Sequence, residues 1–420
     1  MSNFGPKEKA IATLLSKNPA IKNFVKQIYQ RCNYFLNKKE YQFKSDYQIN
    51  VVDNSSMESF FGYYDKSPEN EDGSKVIYYR TDYSTRNKPS KDDPIEIVLK
   101  CLDTGLIEVI DKTYTYNWQQ GAKMMWLSNN KFIYNVLSES TARYNSKIYD
   151  IINKTYQNID YPIYDCYRNH YGLTLNYSRL RDLRPDYGYR NISDFPDYLD
   201  YSKDGVFKIS FDDNSSNLII SLRELIDLKF LESMKNARHK VNHIMVGPDG
   251  KNFMFMHRWH DKSRGKFDRL LVYNFENKEL KIISDEGGIS HCCWKDNKSI
   301  IGYLKHDNKF DFYEIDINSG KIKKVSNKLE TFGDGHPTFA KNKLLFDSYP
   351  DRSRMKKIYI YDFDKNKINF LAELYESFKF YNETRCDLHP RFNKLATVIY
   401  FDSVHEGLRK LYSLNLNKFS

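Results

Sequence analysis

An all-β, seven-bladed β-propeller with a short N-terminal helical extension is predicted by three features of this 420-residue sequence. From about residue 46 onward the chain is a succession of short apolar runs, rich in β-branched and aromatic residues and punctuated by turns. Units that open on a histidine and continue into such a run return at His243, His291, His336 and His389, at intervals of 48, 45 and 53 residues. Helical stretches are few. A period of about 40–50 residues with four strands per unit marks a propeller, because one such unit cannot bury both faces and must stack on neighbours around a channel.

The chain divides into an N-terminal segment, 1–45, and a propeller domain, 46–420. In the first, Asn18-Pro19 reads as a cap followed by proline at the first helical position. Ile21, Phe24, Val25, Ile28 and Tyr29 then recur at helical spacing, which predicts a basic amphipathic helix over 19–36. Nine Lys/Arg stand against Glu8 and Glu40 in this segment. That balance suits peripheral contact with an anionic membrane surface as well as docking on the chain's own domain. Residues 42–52 are expected to supply a strand that closes the ring against the last blade. Further strands are expected at 75–83, 95–103, 131–137, 147–153 and 205–211, then at 269–275, 312–317, 357–363, 396–402 and 410–416. Turns such as Asp72-Gly73, Asp249-Gly250 and Asn318-Ser319-Gly320 separate them. The innermost strands are placed to start near Gly62, Gln119, Tyr171, His243, His291, His336 and His389. The polar stretch 169–191 interrupts the third blade, and 221–234 is the clearest helix.

Composition narrows the function classes. With 40 % hydrophobic residues, 34 Tyr and 27 Phe, the chain has ample material for a core. No apolar run approaches the roughly 18 residues needed to span a bilayer. The N-terminus lacks the apolar block of a secretory signal, and the six cysteines form no CxxC pair, so a cytoplasmic protein, peripheral at most to the inner membrane, is expected. The net charge of +10 suits an anionic partner. An acidic oligo- or polysaccharide is the expected one; nucleic acid is not.

The first residues of innermost strands cluster at one mouth of a propeller channel, so His243, His291, His336 and His389 should converge. Neutral imidazoles on separate rigid strands suit a divalent metal such as Mn or Zn. Gln119 or Gln120 sits at the corresponding place in blade two and could add an oxygen ligand; Asp65 occupies a similar place in blade one. A repeated histidine can equally tie blade to blade by hydrogen bonds. Arg258, Arg354 and Arg385, with His257, lie in or beside the histidine-bearing blades and are candidates for catalysis and carboxylate capture, whereas Arg179, Arg181 and Arg184 line the irregular stretch. Pairing with Asp347, Asp351, Asp387 and Asp402 is the alternative use of these arginines. Tyr63, Tyr64, Trp118, Trp259 and Tyr349 could stack on sugar rings, with Asp351 as a polar contact; core positions are the alternative.

The motifs FGYYDKSP (61–68), NWQQGAKMMWL (117–127), NHIMVGPDGKNFMFMHRW (242–259), DGHPTF (334–339), DSYPD (347–351), RCDLHPRF (385–392) and FDSVHEGLRKLY (401–412) carry a resemblance. The sequence resembles bacterial β-propeller proteins encoded with capsule and O-antigen biosynthesis genes, a group often labelled glycosyltransferase. More distantly it is similar to oligogalacturonate lyases, seven-bladed propellers in which histidines and a glutamine hold manganese and an acidic sugar is cleaved by β-elimination. The resemblance implies a metal held by His243, His291, His336 and His389 with Gln119 or Gln120. There is one departure: the lyase pattern groups a glutamine and two histidines in one blade, whereas His336 is flanked by Gly335, Pro337 and Thr338.

These readings converge on a carbohydrate-active, lyase-like propeller in surface-polysaccharide metabolism. A glycosyltransferase-type role and a non-catalytic glycan-binding scaffold are the alternatives. Against a standard transferase, no glycine-rich Rossmann turn or DxD motif occurs within an α/β pattern.

Overall fold

The structure is a computed structural model that describes residues 19–138, 140–192, 200–262 and 265–416. Seven antiparallel sheets follow one another along the chain. Their innermost strands are Glu58–Phe60, Met125–Ser128, Asp165–Tyr167, Arg238–Val246, Cys292–Trp294, Thr338–Ala340 and Arg391–Phe392, which define blades one to seven. Because each blade is covered on both sides, its middle strands are apolar nearly throughout instead of alternating. In Lys75–Thr81, for example, Val76, Ile77, Tyr78 and Tyr79 are all buried. The core therefore lies in the seams. Phe60, Tyr79, Trp118 and Phe132 fill the seam between blades one and two. Leu345, Ile358, Phe401 and Leu414 fill that between six and seven.

Ring closure uses the N-terminal strand, as the sequence implied, and goes further. Ile49–Val51 pairs with Lys410–Asn415 as the outermost strand of blade seven. Just before it, Phe43–Ser45 pairs with Lys367–Tyr375 as a fifth strand of blade six. One short segment thus clasps the last two blades.

Helix α1, Pro19–Asn37, precedes the clasp; its Asn18 cap lies outside the described residues. It leans on the rim of blade six, with the Tyr34 ring 5.7 Å from Tyr375 and 5.6 Å from Phe378 and the Arg31 guanidinium over Phe378. Ile28, Phe35 and Leu36 stay exposed. No helix among the described residues is long and apolar enough to cross a membrane.

Several details differ from the sequence reading: Gly62 follows the innermost strand of blade one instead of opening it, and Gln119 lies in the turn ahead of Met125–Ser128. The helix expected over 221–234 is broken into Leu222–Asp227 and a single 3₁₀ turn at Glu232–Met234. Ser221 and Glu224 form a capping box at the start of the first piece, and Arg269 donates to the Leu225 and Lys229 carbonyls at its end, so one turn and a half is closed off at both ends. In blade three, Tyr171 belongs to the second strand, Tyr171–Thr174, and not to the innermost one. After that strand the chain leaves the sheet through helix α2, Tyr177–Leu183, and a loop reaching Ile192.

Candidate functional site

The four repeat histidines meet at one end of the channel. Ring centroids are 4.2 Å apart for His291 and His336, 4.3 Å for His336 and His389, and 6.2 Å for His243 and His291. All four side chains are buried. His291, His336 and His389 come one or two residues before an innermost strand begins. His243 instead sits inside Arg238–Val246, where a register shift between Asn242 and Met245 turns it into the channel. His243 and His389 both have left-handed backbone, with φ of 52° and 45°. Non-glycine residues adopt that conformation at a cost and mostly where function or tight geometry imposes it.

Each ring is held through Nδ1. His336 Nδ1 lies 2.9 and 3.0 Å from the Asp347 carboxylate oxygens, and His291 Nδ1 lies 3.2 Å from Asp334 Oδ1. His389 Nδ1 donates to the Gly62 carbonyl at 2.9 Å, which leaves a lone pair on Nε2. His243 Nδ1 meets the Tyr63 hydroxyl at 2.7 Å. His389 Nε2 is buried without a hydrogen-bond partner. Asp347 also receives the amides of His336 and His389, so one carboxylate fixes the approach of blades six and seven. Gly335 is needed beside it: a Cβ there would come within 2.0 Å of the Asp347 carbonyl oxygen.

The electrostatics differ from ring to ring. Burial opposes charge on His336, yet the Asp347 carboxylate outweighs it and raises its pKa above the ordinary imidazole value. Burial, reinforced by the neighbouring His336, pushes His291 and His389 down. Burial also pushes His243 well down, helped by Arg258, His291 and Arg184. Burial would raise Asp387, but Arg385 and Lys356 hold its carboxyl well below the usual range. The ligand atoms of His336, Asp387 and His389 all lie within 4.8 Å of one another. These donors fit a divalent cation: imidazole nitrogens whose other nitrogens are oriented by carboxylate or carbonyl, beside an ionised carboxylate.

Blade one supplies the floor. Its connection 61–65 crosses the channel axis, since Tyr64 bonds the Cys292 backbone of blade five and Tyr63 bonds His243 of blade four. The Tyr64 ring lies 5.5–6.0 Å from His291, His336 and His389. Phe61 and Gly62 donate their amides to Asp402 of blade seven, each at 2.9 Å. Gly62 has φ of 107°, and a Cβ there would meet the Gln120 backbone at 2.9 Å.

Other expected residues are placed variously. Arg385 pairs with Asp387 at 2.7 Å and with Asp186 at 2.8 Å, two steps from the histidines. Arg258 donates to the Ile289 carbonyl and its charge is felt at His243. Arg354 pairs with Glu376 and lies over Phe378 on the rim. Tyr349 is 5.7 Å from His336, and Asp351 accepts from the amide and hydroxyl of Ser353 in the same loop. Gln119 donates to the Arg385 carbonyl at 2.8 Å while its Oε1 is buried without a partner. Asp65, not the histidines, accompanies Lys123 and Lys66.

Three residues lie away from the cluster. Trp118 is core, with Nε1 donating to Asn87 and its ring against Phe60 and Tyr116. Trp259 stacks on Phe267 and donates to Ser233. His257 belongs to a buried relay in blade four. Arg269 Nε donates to His257 Nδ1, so His257 Nε2 donates to His239 Nδ1 at 2.9 Å and His239 Nε2 donates to the Met234 carbonyl. That order fixes both tautomers as neutral.

Asp334, Asp387 and Tyr187 are at the site and went unassigned there, and Tyr63, expected to stack on a sugar ring, instead holds His243. The first two had a signal: Asp334-Gly335-His336 and Asp387-Leu388-His389 repeat the same Asp-x-His spacing. Tyr187 had none; it comes from the blade-three insertion, and its ring lies 5.5 Å from His243 and 5.9 Å from Tyr63.

No protein-family model matches the sequence, and no curated protein matches it. Solved structures do. The chain is similar to oligogalacturonate lyase from Vibrio parahaemolyticus, with 12 % identity, a TM-score of 0.61, and 90 % of this chain and 97 % of the other covered. It is similar to an oligogalacturonate lyase in complex with manganese, with 14 % identity, a TM-score of 0.63, and coverage of 91 % and 96 %. The propeller domain of the trilobed protease from Pyrococcus furiosus is similar at 10 % identity and a TM-score of 0.48, with coverage of 85 % and 97 %. At these identities the likeness is one of fold, and the fold is the seven-bladed propeller.

Proposed function

We propose that this protein is a metal-dependent, lyase-like enzyme acting on an acidic glycan in bacterial surface-polysaccharide metabolism. The observation that carries the reading is the meeting of His291, His336 and His389 with every Nδ1 engaged and a buried lone pair on His389 Nε2. The fold shared with a lyase in complex with manganese supports the metal and the acidic substrate, and the motif resemblance described above supports the pathway.

His336 and His389, with Asp387 and His291, would hold the cation. When bound, it supplies positive charge that neutralises a sugar carboxylate and acidifies the adjoining C–H bond. His243, expected as a fourth metal ligand, stands apart from the other three, neutral and in contact with Tyr63, which supports a role for it in accepting that proton. The C–H electron pair becomes the new C=C bond, the glycosidic oxygen departs, and a proton is returned to it. Arg258 and Arg184, whose charges reach His243, favour the anionic substrate at that side. Arg385 acts at one remove by fixing Asp387.

The test is metal content of the purified protein beside His291→Ala/His336→Ala and Asp347→Asn. Stoichiometric Mn or Zn is expected in the wild type and none in the double variant. Asp347→Asn should weaken affinity by about 10–100-fold, the usual effect of removing a partner behind a metal ligand. Metal-loaded protein should then generate ultraviolet-absorbing unsaturated product from uronate oligomers. A wild type that stays metal-free on reconstitution overturns the reading.

A further inference from the structure

Between helix α1 and the rim of blades five and six lies a cavity of about 720 Å³. It is large enough for an oligosaccharide, within the range of roughly 300–1,000 Å³ typical of ligand pockets. Two of its lining residues belong to the histidine site as well. Asp334 orients His291, and the Tyr349 ring lies 5.7 Å from His336. The cavity therefore shares two wall residues with the cluster, while the histidines themselves lie buried behind them.

Its lining has the chemistry of sugar recognition. Tyr29, Gln30, Asn33 and Asn37 project from α1 on one face, since i, i+1, i+4 and i+8 fall together on a helix. Asn33 and Asn37 donate their amides back to the Tyr29 and Asn33 carbonyls, so they present their side-chain oxygens, and Gln30 its whole amide, on the wall that faces Tyr349, Tyr359 and Phe332. Four cations, Lys39, Arg352, Arg354 and Lys357, line it against two carboxylates, Asp334 and Asp351. Both carboxylates are engaged: Asp334 by His291 and Ser290, Asp351 by Ser353 and Lys357. Arg354 and Lys357 are held by Glu376 and Glu373, which fix their side chains and offset their charge, so the lining is a set of positioned ion pairs with Lys39 and Arg352 as its further cations.

We propose that this cavity is the cleft through which an anionic oligosaccharide reaches the histidines, and that α1 is its outer wall, binding sugar units away from the reacting bond. The inference rests on the acidic-glycan reading and adds to it a role for the N-terminal segment. The helix is then a part of the binding site that the propeller alone does not provide. A preference for longer oligomers follows.

The experiment is calorimetric titration of the full-length, manganese-loaded protein with a galacturonate dimer and a galacturonate hexamer, and with a neutral hexamer of glucose. Wild type is compared with Gln30→Ala/Lys39→Ala and with Arg352→Ala, each checked for unchanged metal content and thermal midpoint. The expected result is a loss of about tenfold or more in affinity for the galacturonate hexamer in both variants, with the dimer within about twofold, a difference of at least about 1.4 kcal/mol for the hexamer. Hexamer affinity equal to wild type in both variants overturns the cleft and leaves the acidic-glycan reading standing. An equal loss for dimer and hexamer overturns the assignment of α1 to distant units. No binding of either galacturonate by the wild type overturns the cleft and the acidic-glycan reading together.

Discussion

At the scale of single residues, the same side chain serves two ends in different blades. His336 is bound to a carboxylate and pushed towards its charged form, whereas His257 and His239 are bound to each other and to Arg269 and kept neutral. The neutral relay has a measurable cost in acid. Burial lowers His239 from 6.5 to about 4 in the folded chain. Above the ordinary value both folded and unfolded states are neutral there. Between the two values the unfolded chain takes up a proton that the folded chain refuses, so stability falls as pH falls through that window and levels off below it. The loss from His239 alone is about 3 kcal/mol. Urea unfolding at neutral pH and near pH 4.5 should show a smaller drop for His239→Gln than for wild type, since an amide can take the same two contacts without titrating. Identical drops would remove His239 as the source.

At the scale of elements, the strands were legible because apolar runs bounded by turns need no knowledge of partners; those at 95–103 and 357–363 became Ile95–Cys101 and Met355–Asp362. The convergence of four histidines was legible for the same reason, since a repeat places equivalent residues at equivalent points. What could not be read were the contacts set by the insertion and the clasp. Tyr187 reaches His243 only because residues 184–192 are drawn across the mouth, where Asp186 pairs with Arg385 and Arg190 pairs with Glu383. Nor does spacing say that Phe43–Ser45 takes blade six before Ile49–Val51 takes blade seven. The clasp and the helix should separate on truncation. Removing residues 1–40 should leave the thermal midpoint nearly unchanged, because α1 only leans on the rim. Removing 1–52 strips the outer strand of blade seven and buried Val52, and should lower the midpoint by about 5 °C or more, as expected for a loss of several kcal/mol in a domain of this size (about 1–1.5 °C per kcal/mol). Equal midpoints for the two truncations would show that the clasp is dispensable.

At the scale of the whole molecule, the +10 charge acts on encounter more than on contact. Association with a uronate oligomer should slow several-fold between low salt and about 0.5 M salt, while a neutral oligomer of equal length is unaffected; stopped-flow mixing would separate the two. A second whole-molecule consequence lies in the crossing of the axis by Tyr63 and Tyr64. In a ring of seven, blades four and five face blade one across the axis, so tyrosines of blade one that bond to both stopper the bore at the level of the histidines. The central hole is a cul-de-sac, not a tunnel. On the proposed reading a glycan cannot be threaded through it, so a cut chain would have to back out by the way it came, and release of the cut end would set the pace on long chains.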